Sequence, residues 1–311
     1  MQALTTMNAY PAQISGVNIN LLDRWEAFND VSQKSKDTYR RAIKQLFSFL
    51  ADKETNAPTR EDIIEWRDKL RAEKKPSTVQ AYLTAVKLFF RWLEQEEIYK
   101  NITDHLKSGV KVNVFEHKKD FLTQEQAKNV LSCIKTDNLK GKRDFAIIAL
   151  LMTAGLRTIE VIRANVEDLT TKGGHSVLLV QGKGRNEKAE LVKIAPQVYN
   201  AIMEYLKERN PKEGEPLFSS IANKNKGERM TTRSISRIAK EALKAAGYDS
   251  ETLTAHSLRH TAATLALKAG STEKEVQQML RHRNLNTTQI YVHTLDRLSN
   301  NAELRVANAL F

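Results

Sequence analysis

A single cysteine, Cys133, stands in 311 residues. That excludes an intramolecular disulfide and a cysteine-built zinc cluster. Cys133 is expected to be a small, buried helix residue. Long apolar runs are also missing. The longest, 145–152, is too short to span a bilayer. Residues 1–20 lack a basic start followed by an apolar core, so no signal peptide is expected. Acidic excess is absent too. Together these absences point to the cytoplasm and to no membrane partner.

Positive charge is what the chain has in excess. Net charge is +12 and the isoelectric point is about 9.6, which favours polyanion partners, nucleic acid above all. The excess is uneven. Residues 1–120 hold 20 basic and 17 acidic side chains, while the remainder holds 29 and 20. With 41% hydrophobic and 28% charged residues the composition is globular, and the length fits two domains.

Apolar periodicity sketches the organisation. Residues 1–107 read as helices over 21–28, 35–50, 61–72 and 79–98. Thr59 is expected to cap the third, and a capping box of Ser77 and Gln80 to open the fourth. The stretches 39–50 and 82–93 echo each other at an offset of 43. They read as two core helices with equal packing needs, or as a duplicated helical hairpin. Residues 108–121 break the periodicity and read as an extended basic linker. From 122 onward the pattern is mixed. Thr123 and Gln126 form a capping box for 124–134. A buried helix follows at 142–153 and another at 156–161. Two β-branched runs, 176–181 and 189–194, flank the turn 182–186 as a hairpin. Helices follow over 197–208, 232–246, 256–269 and 272–281. Asn286 with Gln289 is expected to cap a helix before Tyr291. A helical tail closes the chain with Leu304, Ala307 and Phe311 on one stripe.

The residues that carry chemistry are clustered in spacing. His256 and Arg259 lie in Ala-His-Ser-Leu-Arg-His. His282 follows 23 residues after Arg259, and Tyr291 nine residues after that. Upstream, Arg157 and Glu160 lie in Ala-Gly-Leu-Arg-Thr-Ile-Glu, and Lys183 lies in Gln-Gly-Lys-Gly. This constellation resembles the tyrosine recombinase (phage integrase) family, within which the chain is most similar to Xer-type recombinases and compact mobile-element integrases. The resemblance covers most of the chain. It departs at one point: Arg281 precedes His282 where the family usually has glycine.

The resemblance implies a mainly α fold with a small β-sheet. A SAM-like helical core-binding domain (1–107) and a mixed α/β catalytic domain (122–311) would form a C-shaped clamp on DNA, with an exchange helix near 301–311. It implies double-stranded DNA with inverted-repeat core sites, a homotetramer on two duplexes, and an accessory or activator protein as partners. Strand cleavage would leave a 3′-phosphotyrosyl link and pass through a Holliday junction, without metal or other cofactor. A bacterial, nucleoid-associated enzyme is implied.

The residue types suit that chemistry on their own terms. Tyr291, a weak nucleophile with pKa about 10, needs a base and an electrophile readied by cations. Arg157 and Arg259 can each fork onto non-bridging phosphate oxygens. His282 is expected to add a hydrogen bond to the same oxygens. His256 faces the same side of its helix as Arg259 and is the expected proton acceptor. Lys183 would protonate the departing 5′ oxygen, although Lys188 shares its hairpin. Glu160 is expected to orient the site. For DNA contacts outside the site we select Arg40, Arg41, Lys44, Lys87 and Arg91 in the first part, and Arg233 and Arg237 in the second.

Two other readings fit less well. His256 and His260 are four apart on a helix, as in zinc peptidases, but no glutamate follows the first histidine as that motif requires. A DNA-binding protein without strand chemistry would share the net charge but needs no full set of catalytic residue types. The biological task reads as integration and excision of a mobile element, with Xer-like resolution of chromosome or plasmid dimers as the alternative.

Overall fold

The apolar stripes of the first hundred residues become four helices in the computed structural model, which describes residues 17–55, 57–110, 120–182, 187–282 and 302–311. These are α1 (Val17–Phe28), α2 (Gln33–Asp52), α3 (Arg60–Glu73) and α4 (Pro76–Gln95). Helices α2 and α4 pack against each other. Their echoed positions are buried in one core: Ala42 and Ala85, Ile43 and Val86, Leu46 and Phe89, Phe47 and Phe90, Leu50 and Leu93. Phe89 is the centre of this core, edge-on to Trp25 at 5.3 Å and to Phe47 at 5.8 Å. Each such pair adds about 0.5–1.5 kcal/mol beyond burial.

Local signals set the helix ends. Thr59 caps α3 in a capping box with Asp62. Thr123 does the same for α5 with Gln126. The expected box of Ser77 and Gln80 does not form. Pro76 occupies the first helical position of α4, behind Lys75 as N-cap, with no side-chain cap bond. Proline at this position only removes one of the unpaired N–H groups of the first turn, and its fixed φ starts the helix earlier.

The chain divides into two compact units, 1–113 and 114–311. Val110 packs against the first core. The second unit contains α5 (Gln124–Ser132), α6 (Leu139–Ala154), α7 (Thr158–Arg163), β1 (Leu169–Lys172), β2 (His175–Val180), β3 (Glu190–Lys193), α8 (Pro196–Arg209), α9 (Thr232–Ala245), α10 (Ala255–Lys268), α11 (Glu273–Leu280) and α12 (Ala302–Leu310). Helix α6 is its spine. It is apolar and buried nearly all round, as a helix enclosed by others must be, and it packs on α8 and α10. The antiparallel sheet has order β1-β2-β3. Strand β1 is an addition to the expected hairpin. It joins β2 through Gly173 and Gly174, both left-handed, the requirement of a two-residue hairpin turn.

Cys133 is exposed, contrary to expectation. Helix α5 buries Ala127 and Val130, and position 133 caps its C-terminus outside that stripe. In α12, Leu304, Val306 and Leu310 are exposed, as is Phe311 just after it. Among the described residues no helix is long and apolar enough to cross a membrane. The proposed cap of Asn286 with Gln289 lies outside the described residues.

Gly155 ends α6 in the left-handed region, with φ 58°. A Cβ there would lie 2.5 Å from Leu280 Cδ2. Gly155→Ala therefore combines backbone strain with a clash, a loss of about 2–3 kcal/mol. A lower denaturant midpoint at unchanged slope is the expected result. A midpoint equal to that of the unaltered protein would refute this account.

Candidate active site

Arg259 is the most buried cation of the cluster, 1% exposed. Its position on α10 faces inward between two helix ends. Nη1 donates to the carbonyl of Gly155, and Nη2 to that of Leu280 at 2.5 Å. These carbonyls terminate α6 and α11. The last carbonyls of a helix lack internal partners and carry partial negative charge. The guanidinium thus satisfies both ends.

Arg157 follows the left-handed Gly155 by two residues and is the N-cap of α7. Glu160, one turn on and fully buried, accepts three bonds. Its Oε2 takes the backbone N–H of Arg157 at 2.7 Å and Nη2 of Arg281 at 2.7 Å. Its Oε1 takes Nη1 of Arg157 at 2.8 Å. Burial opposes the charge on Glu160, but the Arg281 charge and the Arg157 bonds outweigh it and hold the carboxyl below its ordinary range. Glu160 therefore remains a carboxylate and fixes one edge of Arg157. The Arg157 side chain keeps 28% of its surface open.

His256 lies one turn before Arg259 on α10 and is exposed. Its ring stands edge-on to that of His260 at 4.5 Å. His282 follows Arg281 directly after α11 and is partly buried. Burial, then the charges of Arg259, Arg157, Arg281 and His256, push its pKa down to about 3. It is neutral at physiological pH and offers a hydrogen bond without adding charge. Arg157, Glu160, Arg259, Arg281 and His282 are thus brought together by α7, α10 and the end of α11. Lys183 and Tyr291 lie outside the described residues, as do Arg283–Thr288 in front of Tyr291. Lys188, the other hairpin lysine, is committed to Asp168 at 2.5 Å.

Arg281 is the residue whose part the sequence hid. It adopts φ 55°, ψ 46°, the left-handed closure of α11, which explains why glycine suits this position. Instead of pointing to solvent, its side chain is only 7% exposed and reaches Glu160. The signal available beforehand was its departure from glycine.

The selected DNA contacts differ in availability. Arg40 is engaged with Asp23 and Glu26, both at 2.8 Å, and ties α2 to α1. Arg41, Lys44 and Arg91 are exposed on the first unit, and Arg233 and Arg237 on α9. Arg237 pairs with Glu241 at 3.0 Å, an exposed pair of little worth that a phosphate can displace. Lys87 is half-buried.

In the DNA-free protein the His282 ring should not titrate between pH 5 and 8, because burial and then three guanidiniums disfavour its cation. A phosphate held by Arg157 and Arg259 adds negative charge and must raise that pKa. Following the His282 ring resonance by NMR with and without DNA tests both statements. Ordinary titration near 6.5 in the free protein would contradict the first.

The Phage integrase family model matches residues 120–297, and the Phage integrase N-terminal SAM-like domain model matches 26–97. A tyrosine recombinase of Synechocystis sp. is 30% identical, over 90% of this chain and 92% of that one. A tyrosine recombinase XerA of Pyrococcus furiosus is 29% identical, over 87% and 88%. Among solved structures, the XerH site-specific recombinase bound to palindromic difH in a post-cleavage complex shares the fold at TM-score 0.73 and 23% identity, covering 86% of this chain and 80% of that one. The lambda integrase dimer on a COC′ core site shares it at TM-score 0.66 and 20% identity, covering 86% and 95%. With its catalytic half matched by the family model and a relative alike along nine-tenths of both chains, this chain belongs to the phage integrase family, the tyrosine-type site-specific DNA recombinases.

Proposed function

We propose that this recombinase cleaves and rejoins DNA at inverted-repeat core sites through a 3′-phosphotyrosyl link on Tyr291. The observation that carries the proposal is Arg259. It is a buried guanidinium held by helix-end carbonyls, beside Arg157 and a neutral His282. Two guanidiniums, Arg157 with an open edge and Arg259 bound by helix-end carbonyls, suit a phosphate at this place.

In this reading Arg157 and Arg259 clamp the non-bridging oxygens and stabilise charge in the transition state. His282 donates a further bond to those oxygens. The Tyr291 oxygen attacks phosphorus and gives its proton to His256. The bond from phosphorus to the 5′ oxygen breaks, and Lys183 protonates that oxygen. Glu160 aims Arg157. The phosphate ester bond is conserved, so a different 5′ end can attack and rejoin the strand without ATP or metal.

Residues 1–107 act as the core-binding domain, 108–121 as the linker and 122–311 as the catalytic domain. Four protomers on two duplexes exchange strands through a Holliday junction. The exposed apolar residues of α12 and its end, Leu304, Val306, Leu310 and Phe311, support docking of this helix on a neighbouring protomer. A helix of nine residues is too short to be stable alone in water. The task is integration and excision of a mobile element in the bacterial cytoplasm, with an accessory protein as a partner. A second reading, Xer-like dimer resolution, is favoured by the Xer names of several relatives.

Nicked suicide duplexes carrying the native site, incubated without metal, test the chemistry. A covalent protein–DNA band that vanishes in Tyr291→Phe is expected. Arg259→Ala should slow its formation by about 10²–10³-fold. Tight binding without any band would favour a DNA-binding protein lacking strand chemistry. Removing 301–311 should weaken synapsis far more than binding to one site; full recombination by the truncated protein would contradict helix docking.

A further inference from the structure

Arg281 touches two carboxylates that belong to different parts of the site. On one side it holds Glu160, at 2.7 Å, the residue that aims Arg157. On the other, its Nε lies 3.8 Å from Glu190 Oε2. That Nε is buried and makes no hydrogen bond. Glu190 opens β3 and pairs in register with Val180 of β2, at the last rung before the hairpin turn. Its carboxylate packs on Gly182. A Cβ there would meet Glu190 Oε2 at 3.0 Å. Gly182 is bonded directly to Lys183. A single buried guanidinium therefore stands between the carboxylate of the arginine site and the carboxylate that supports the root of the lysine hairpin.

We propose that Arg281 is a positioning residue that ties the base of the β2–β3 hairpin, through Glu190, to Glu160 and the arginine site. The tie sets the register between the phosphate clamp and the proton donor. The inference rests on the assignment of Lys183 as general acid made above. The fork of arginine suits the task, since it presents several donors in a fixed plane to two acceptors. A lysine in its place would offer a point charge. The left-handed backbone at 281 sends the side chain back over the end of α11, where Nη1 is further fixed by the carbonyl of Met279 at 2.6 Å.

The test compares two suicide duplexes, one with the ordinary scissile phosphodiester and one with sulfur as the 5′-bridging atom. In both, the Tyr291 oxygen bonds to phosphorus and the bond to the 5′ atom breaks. A 5′ oxygen must be protonated as it leaves. A 5′ sulfur departs as a thiolate without help, thiols having pKa values near about 8.5. Lys183→Ala should be slow on the oxygen substrate and recover on sulfur. Arg281→Gly and Glu190→Gln should each slow cleavage of the oxygen substrate by roughly 10–100-fold, the effect of misplacing a group by about an ångström. Both should recover on sulfur. The double variant should be no slower than the slower single variant, because the two act through one contact. Glycine suits the left-handed backbone at 281, and matched thermal melts confirm folding.

Unchanged cleavage by Arg281→Gly overturns the proposal. So does equal slowing on both substrates, or multiplication of the two single effects in the double variant. If sulfur fails to rescue Lys183→Ala, the general-acid assignment falls instead. The Arg281–Glu190 cycle then still decides whether the tie exists. Absence of cleavage by the unaltered protein removes both.

Discussion

The catalytic half depends on one buried charge, the guanidinium of Arg259. Removing a cation from water costs several kcal/mol unless its hydrogen bonds are met. The fold meets them with the free carbonyl ends of α6 and α11. That choice fixes a good deal of architecture. The spine helix must end at 155, in a left-handed turn with no room for a side chain. Helix α11 must end at 280, which places 281 and 282 beside the cluster. Arg157 follows because it starts the next helix two residues after that turn. These carbonyls satisfy two of its donors and bring only partial negative charge to it.

His282 shows the same electrostatics from the other side. Partly buried and then surrounded by three guanidiniums, it is kept neutral. A histidine charged in the empty site would add repulsion to an already crowded group of cations. A neutral ring contributes a donor whose strength grows when phosphate enters, since the incoming charge favours the protonated form. Glu160 limits the repulsion between Arg157 and Arg281 while leaving part of Arg157 exposed. Charge and geometry are set by the same few contacts.

Much of this was legible in the sequence because it is written locally. Thr59 and Thr123 announce their helices through a partner three residues on. The echo between 39–50 and 82–93 shows up as matched buried faces. The His256, Arg259 and His282 spacing reflects a helix and the one after it. What was hidden is tertiary. Cys133 reads as a helix residue, yet its exposure depends on where α5 stops. Strand β1 has weak character of its own in Leu-Thr-Thr-Lys and exists by pairing with β2. The Gly-Gly turn between them was the overlooked signal. Arg40 looks like a DNA contact by charge, but only packing reveals Asp23 and Glu26 against it. Net charge names the kind of partner, and cannot say which cations remain available for it.

Arg281 carries this lesson furthest. A non-glycine residue in the left-handed region costs about 1–2 kcal/mol, so its side chain must compensate for the backbone. An isolated extra cation beside Arg157 and Arg259 would increase repulsion and compete with Arg157 for Glu160. Arg281 instead sits near a second carboxylate, Glu190, so the added pair leaves the net charge of the site unchanged. A pair that alters no charge but spans two elements is better suited to holding them in place than to binding phosphate. The 7% exposure of the Arg281 side chain agrees, because a phosphate ligand would need an open edge such as Arg157 keeps. The two arginines around Glu160 thus differ in availability: Arg157 keeps an open edge, and Arg281 is enclosed by protein.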